Sequence, residues 1–168
     1  QTGLSLVPEN YVQAARDQKT FADGEVATEG LQLDIWTNKG SDNLVFAKRE
    51  RMKVLLKVNL PSYIRFVYHL ADGGRVLLMD NYYIDQTKVN HEYEIPTEFQ
   101  CDAPFGAEVL QVFARTEPFP EVQTVKKGEY DIIVGDLSKF LSQTRGMTKV
   151  KQGLVQAERR VVITTVNE

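Results

Sequence analysis

A strict two-residue alternation in the middle of this chain constrains its fold more than any other feature. From Met52 to Leu60, the residues Met52, Val54, Leu56, Val58 and Leu60 are apolar, while Lys53, Lys57 and Asn59 are polar. Successive side chains of a strand point to opposite faces, so this run predicts a strand with one face buried and one wet. Tyr63–Leu70 repeats the pattern, with Ile64, Phe66, Tyr68 and Leu70 expected inward and Arg65 and His69 outward. Pro61 and Ser62 separate the two runs, and proline belongs at a strand boundary rather than in a ladder. Asp72-Gly73-Gly74 then predicts a tight hairpin into a strand at Arg75–Asp80, because Asp-Gly supplies the positive φ such turns need.

Further strands are expected at Gly30–Trp36, His91–Ile95, Ala107–Thr116 and Arg159–Val166. Ala107–Thr116 is apolar on both sides, with Val109 and Phe113 on one and Leu110, Val112 and Ala114 on the other, so it reads as a central strand covered twice. A helix is predicted at Leu137–Arg145: Asp136 is a good N-cap, Leu137, Phe140 and Leu141 recur at helical spacing, and Gly146 follows. Pro8–Gln18 offers a second helix, with Pro8 in the first turn. Short strands with a turn signal about every ten residues predict an all-β fold, an antiparallel β-sandwich of about seven to nine strands. Its general architecture is immunoglobulin-like, with one or two short helices, the later one capping an open end or a sheet edge. At 168 residues the chain is expected to be one domain. Residues 1–30 form an N-terminal extension, 31–120 the core, and 121–168 the helix and closing strand.

Composition removes several functions. With 20 basic against 23 acidic residues the net charge is −3, which gives no electrostatic footprint for nucleic acid. No apolar run approaches the ~20 residues of a membrane-spanning helix. The single cysteine, Cys101, leaves no intrachain disulfide.

Among chemistry-bearing residues, His69, His91 and Cys101 are too few for a structural zinc tetrad. Asp80–Asp85 and Ser41-Asp42-Asn43 carry oxygen donors, but not at the spacing of a calcium-binding EF-hand. Cys101 lies between Gln100 and Asp102, which bring no positive charge to its thiol, and with Phe99 and Ala103 it reads as one buried strand face. No Gly-x-Ser-x-Gly elbow, phosphate-binding glycine loop or His-Glu-x-x-His motif occurs, and no cofactor is expected. Paired carboxylates for glycoside hydrolysis stay open among the 23 acids. The segment Asp102-Ala103-Pro104-Phe105-Gly106 suits a type I turn, with Glu108 a clasp that accepts backbone N–H groups from it. Asp80, Asn81, Tyr82 and Tyr83 are the expected binding loop, since exposed tyrosines give large amphipathic contacts for a protein or glycan partner. The competing reading packs one tyrosine under that loop and the other over a sheet edge. The mixed run Lys48–Lys53 reads as a solvated edge that discourages strand-to-strand association.

The stretch "PSYIRFVYHLADGGRVLLMDNYY", then "YEIP", then "DAPFGAEVLQVFA", resembles the bacterial family called domain of unknown function 4384. The resemblance spans about residues 31–120. It departs at "FAKRERMKV", where Arg49-Glu50 stands in place of the family's Gly-Glu turn. The resemblance implies a β-rich accessory domain of bacterial proteins, exported or joined to other modules, and brings no catalytic residues. The start at Gln1 agrees with a removed export signal, so a periplasmic or extracytoplasmic location is expected. The expected function is a non-catalytic accessory domain of an exported or envelope protein, engaged in binding or assembly. The alternatives are a hydrolase acting on an envelope polymer and a structural spacer.

Overall fold

Two sheets of unequal size face each other in the computed structural model, which describes residues 30–145 and 155–168. In chain order the strands are β1 (Leu33–Thr37), β2 (Leu44–Ala47), β3 (Arg51–Val58), β4 (Ser62–His69), β5 (Arg75–Ile84), β6 (Tyr93–Gln100), β7 (Gly106–Arg115), β8 (Thr124–Lys127) and β9 (Tyr130–Ile133). The helix α1 (Leu137–Arg145) and β10 (Gln156–Val166) complete the set. The small sheet runs β1-β3-β6, and the large one β2-β10-β7-β4-β5-β9-β8. The all-β sandwich holds, with ten strands rather than seven to nine among the described residues. Neighbours pair antiparallel except β2, which runs parallel to β10. The helix expected at Pro8–Gln18 lies outside the described residues.

The inner faces of the two sheets enclose the larger core. Met52, Val54, Leu56 and Val58 of β3 meet Ile64 and Phe66 of β4 and Leu110, Val112 and Ala114 of β7 there, all buried. The alternation of β3 therefore does what its pattern predicts: Lys57 and the other outward residues of the small sheet face water.

The large sheet is different, because its outer face is covered too. A second core of Val67, Phe113, Phe119, Val122, Ile133, Leu137, Phe140 and Leu141 forms where α1 and the segment after β7 lie across β4 and β7. The helix has the expected bounds, and its cap is in place, Lys139 N donating to Asp136 Oδ1 at 2.7 Å. It covers this outer face rather than capping an open end or an edge. Arg65 and His69 do lie on the outer face as expected, but this cover leaves them 0% and 6% exposed rather than wet.

The run Lys48–Lys53 closes an edge rather than simply solvating it. Lys39 Nζ donates to Val45 O at 2.7 Å, and Glu50 Oε1 accepts from Ala47 N at 2.9 Å, so side chains occupy the free edge of β2. Lys39 and Glu50 also pair at 2.5 Å, which together with the Ala47 bond holds the Glu50 carboxyl below its usual range. Arg49 adopts a φ of 70°, a left-handed conformation that favours glycine.

Candidate functional site

The four residues expected as a binding loop form the last part of β5 instead, and a break in strand pairing separates them. Between Ile64 and Phe66 the register of β4 against β5 shifts, and Asn81 takes a φ of 50°. A bulge of this kind re-aims side chains on either side of it. Asp80 consequently reaches Arg65, with Oδ1 accepting from Nε at 2.5 Å and Oδ2 from Nη2 at 3.0 Å. Asn81 fastens the segment after β7, donating to Phe119 O at 3.2 Å and accepting from Phe119 N at 2.7 Å. Both residues are structural clamps.

The tyrosines diverge to opposite faces. Tyr82 faces the small sheet, where its hydroxyl bonds that of Tyr93, with ring centroids 6.3 Å apart and Lys88 Nζ 5.3 Å from the Tyr93 ring. The bond to Tyr93 pushes the Tyr82 hydroxyl up to about 12. Tyr83 stands on the outer face opposite Tyr63, with centroids 4.8 Å apart, and remains 47% exposed. Tyr83 is thus the exposed ring of a pair carried on two strands, while Tyr63 is half-buried against the second core; Tyr130 of β9 is also exposed. Tyr63 escaped the sequence reading, although its place in the alternation of Tyr63–Leu70 puts it on the same side as Arg65.

At the other end of β4 lies the turn with Pro104, Phe105 and Gly106, all half-buried. The Ala103–Pro104 peptide is cis. Gly106 sits at φ 145°, and a Cβ there would lie 3.0 Å from Ala71 Cβ, so the β4–β5 hairpin packs directly on its backbone. Thr165 Oγ1 accepts from Gly106 N at 3.0 Å and ties the same point to β10. Glu108 is a clasp, but its donors belong to a different turn. Tyr68 donates to Oε1 at 2.6 Å and Ala71 N to Oε2 at 3.3 Å, while the carboxylate is 2% exposed. Burial pushes its pKa up to about 7 and drives the Tyr68 hydroxyl far above its usual range.

The outer face of the large sheet holds polar groups that the sequence reading missed. Arg65 also donates to Thr144 Oγ1 at 2.8 Å and Pro120 O at 2.7 Å, with its guanidinium 4.7 Å from the Phe119 ring. Arg115 lies 5.4 Å from the same ring and donates to Thr144 O at 3.2 Å. Its Nε has no hydrogen-bond partner among the described residues, and burial lowers its pKa. Beside them His69 Nε2 bonds Gln111 Oε1 at 3.1 Å, and Gln111 Nε2 donates to Glu158 Oε2 at 2.9 Å. Burial pulls the His69 ring down to about 3, so it is neutral at pH 7. A signal for this existed. Ala107–Thr116 reads as covered on both faces, so something must lie on the outer face of its sheet; that cover reaches β4 but leaves Val162 of β10 55% exposed.

This arrangement separates the groups that nucleophilic chemistry would need together. Cys101 is half-buried against the inner core and donates to Phe46 O at 3.6 Å, whereas His69 lies on the far side of the sheet. Phe99 shares the inner core with Cys101, but Ala103 is exposed, so the buried face expected for the three ends at Cys101. Burial raises the Cys101 thiol pKa. No cluster of three His, Cys, Asp or Glu residues arranged for a metal occurs among the described residues. In the segment expected to offer calcium donors, Asp80 and Asn81 are committed as above, and Asp85 Oδ1 accepts from Thr87 N at 2.9 Å. No helix among the described residues is long and apolar enough to cross a membrane. A shallow groove of about 240 Å³ between residues 121–123 and 134–140 is lined by Glu121, Val122, Lys139 and Phe140, with no converging acid–base pair beyond Glu121 and Lys139.

These features define an all-β sandwich with a helix-covered outer face and a tyrosine pair of which Tyr83 is exposed. No protein-family model, curated protein or solved structure matches the chain.

Proposed function

We propose that this chain is a non-catalytic binding module, working as an accessory domain of a bacterial exported or envelope protein. One observation carries the reading: Tyr63 and Tyr83 bring tilted rings 4.8 Å apart on two paired strands, with Tyr83 47% exposed. Tyrosine loses little rotamer entropy when it binds and offers both an apolar ring and a hydroxyl. Mounting the pair on a strand, rather than on the loop expected from sequence, lowers the ordering cost of binding further. A protein segment or a glycan from the envelope is the partner chemistry that such a platform suits. The setting is the one that the resemblance of residues 31–120 implies.

The competing reading, a hydrolase of an envelope polymer, has one observation in its favour, the Glu108 carboxyl raised to about 7. A general acid must reach its substrate, however, and Glu108 is 2% exposed with both oxygens engaged inside the fold. Titration of envelope glycan fragments and peptides against labelled protein, followed by NMR, tests the proposal. Resonances of Tyr63 and Tyr83 should shift, and the double substitution Tyr63→Ala with Tyr83→Ala should abolish the effect while Tyr82→Ala keeps it. Shifts centred elsewhere, or binding that survives the double substitution, would overturn it.

A further inference from the structure

We infer that Glu108 is a proton-operated clasp: its protonation closes the β4–β5 hairpin onto the turn before β7, and its ionisation loosens that end of the sandwich. This goes beyond the binding reading and concerns the end of β4 opposite Tyr63. Three pieces of chain converge there. Gly106 packs under Ala71, Thr165 holds Gly106 from β10, and Glu108 joins Tyr68 of β4 to the backbone of Ala71.

Burial sets the direction, against the two hydrogen bonds, which as donors to the carboxylate favour its ionised form. Both of Glu108's partners are neutral donors. The titratable groups facing it are Tyr68 on β4, Asp72 in the hairpin and Cys101 beyond β6, and from β10 its cross-strand neighbour is the apolar Ile163. None of these is a cation, so an ionised carboxylate in the closed site has lost water without gaining a counter-charge. A protonated carboxyl holds both partners with the Tyr68 bond reversed: one oxygen accepts from Ala71 N–H, and the carboxyl O–H donates to the Tyr68 hydroxyl oxygen. Opening the hairpin returns the charge to water. The raised pKa of Glu108, near 7 against an ordinary 4.5, follows from the same burial.

Amide hydrogen exchange at Ala71 in the full chain, corrected for the intrinsic pH dependence, tests the clasp. Between about pH 5 and 7 its protection should fall about tenfold per pH unit and then level off, because the open state releases its proton first. The Glu108→Gln variant should abolish that slope. Protection that is flat in the native protein, or an equal slope in the variant, would overturn the inference. His69 titrates in a neighbouring range, but its burial drives opening toward acid, the opposite sign. If Glu108→Gln fails to fold, the ¹³C shift of Glu108 Cδ in the native protein decides. A midpoint near 7 supports the clasp, and one near 4.5 refutes it.

Discussion

Strands β3 and β4 carry almost the same alternation and end in opposite circumstances. Both put apolar residues, Leu56 and Val58 in one and Ile64 and Phe66 in the other, into the shared inner core. On their other faces Lys57 of β3 meets water, whereas Arg65 of β4 is fully buried under α1 and Phe119. The difference comes from sheet position. β3 belongs to a three-stranded layer with nothing beyond it among the described residues, and β4 is central in a seven-stranded layer that carries the helix. Alternation therefore reports which residues share a face, and only the neighbouring layers decide whether that face is wet. A buried arginine survives because its donors are met by Asp80, Thr144 and Pro120 rather than by solvent.

The sharpest way to break the comparison is to remove the positive charges in parallel. Arg65→Ala should cost about 3–5 kcal/mol, since it removes a buried ion pair and the packing against Phe119. Chemical denaturation measures it, and a cost below about 1 kcal/mol would mean that the outer face is not a core. The matching change on β3, Lys57→Ala, belongs at the small end of the scale, within about 0.5 kcal/mol.

Between those extremes lies pH, which acts on the two faces with opposite sign. His69 on the outer face has its folded pKa lowered from 6.5 to about 3, so its contribution is present above pH 6.5 and lost as pH falls toward 3. Glu108 on the inner face is raised from 4.5 to about 7, so its contribution is present below pH 4.5 and lost as pH rises through 7. Over the shared window of about pH 4.5–6.5 each changes stability on the order of 3 kcal/mol, in opposing directions. The native protein should therefore show a nearly flat profile there. His69→Gln should make stability rise on acidification, and Glu108→Gln should make it fall. Urea titrations at several pH values would check both slopes, and equal slopes in the two variants would contradict the assignment.

The smallest expected effect concerns the tyrosine platform. Tyr83→Ala should leave the melting temperature within a few degrees of the native value, because 47% of the side chain is already in water. A large drop by differential scanning calorimetry would make Tyr83 a structural residue rather than a contact.

The same contrast explains how much was legible beforehand. The inner core was, because Met52, Val54, Leu56, Val58, Ile64 and Phe66 are apolar, alternate, and need no knowledge of what lies opposite. The helix bounds were also legible, since Asp136 and the spacing of Leu137, Phe140 and Leu141 are local signals. The strands β2, β8 and β9 were not, being four residues long and, in β8, half lysine. The candidate site was legible only in part. Tyr83 was named, but the bulge at Asn81 that turns Asp80 to Arg65 and sends Tyr82 to the opposite face depends on pairing with β4, which no local pattern encodes.

The Arg65 side chain gives the most direct test of the doubly covered sheet. In ¹H–¹⁵N spectra of the guanidinium groups, Arg65 Nε–H should appear as a slowly exchanging resonance with nuclear Overhauser effects to the Phe119 ring. An Arg65 signal averaged by rapid exchange with water, and lacking those contacts, would contradict the account.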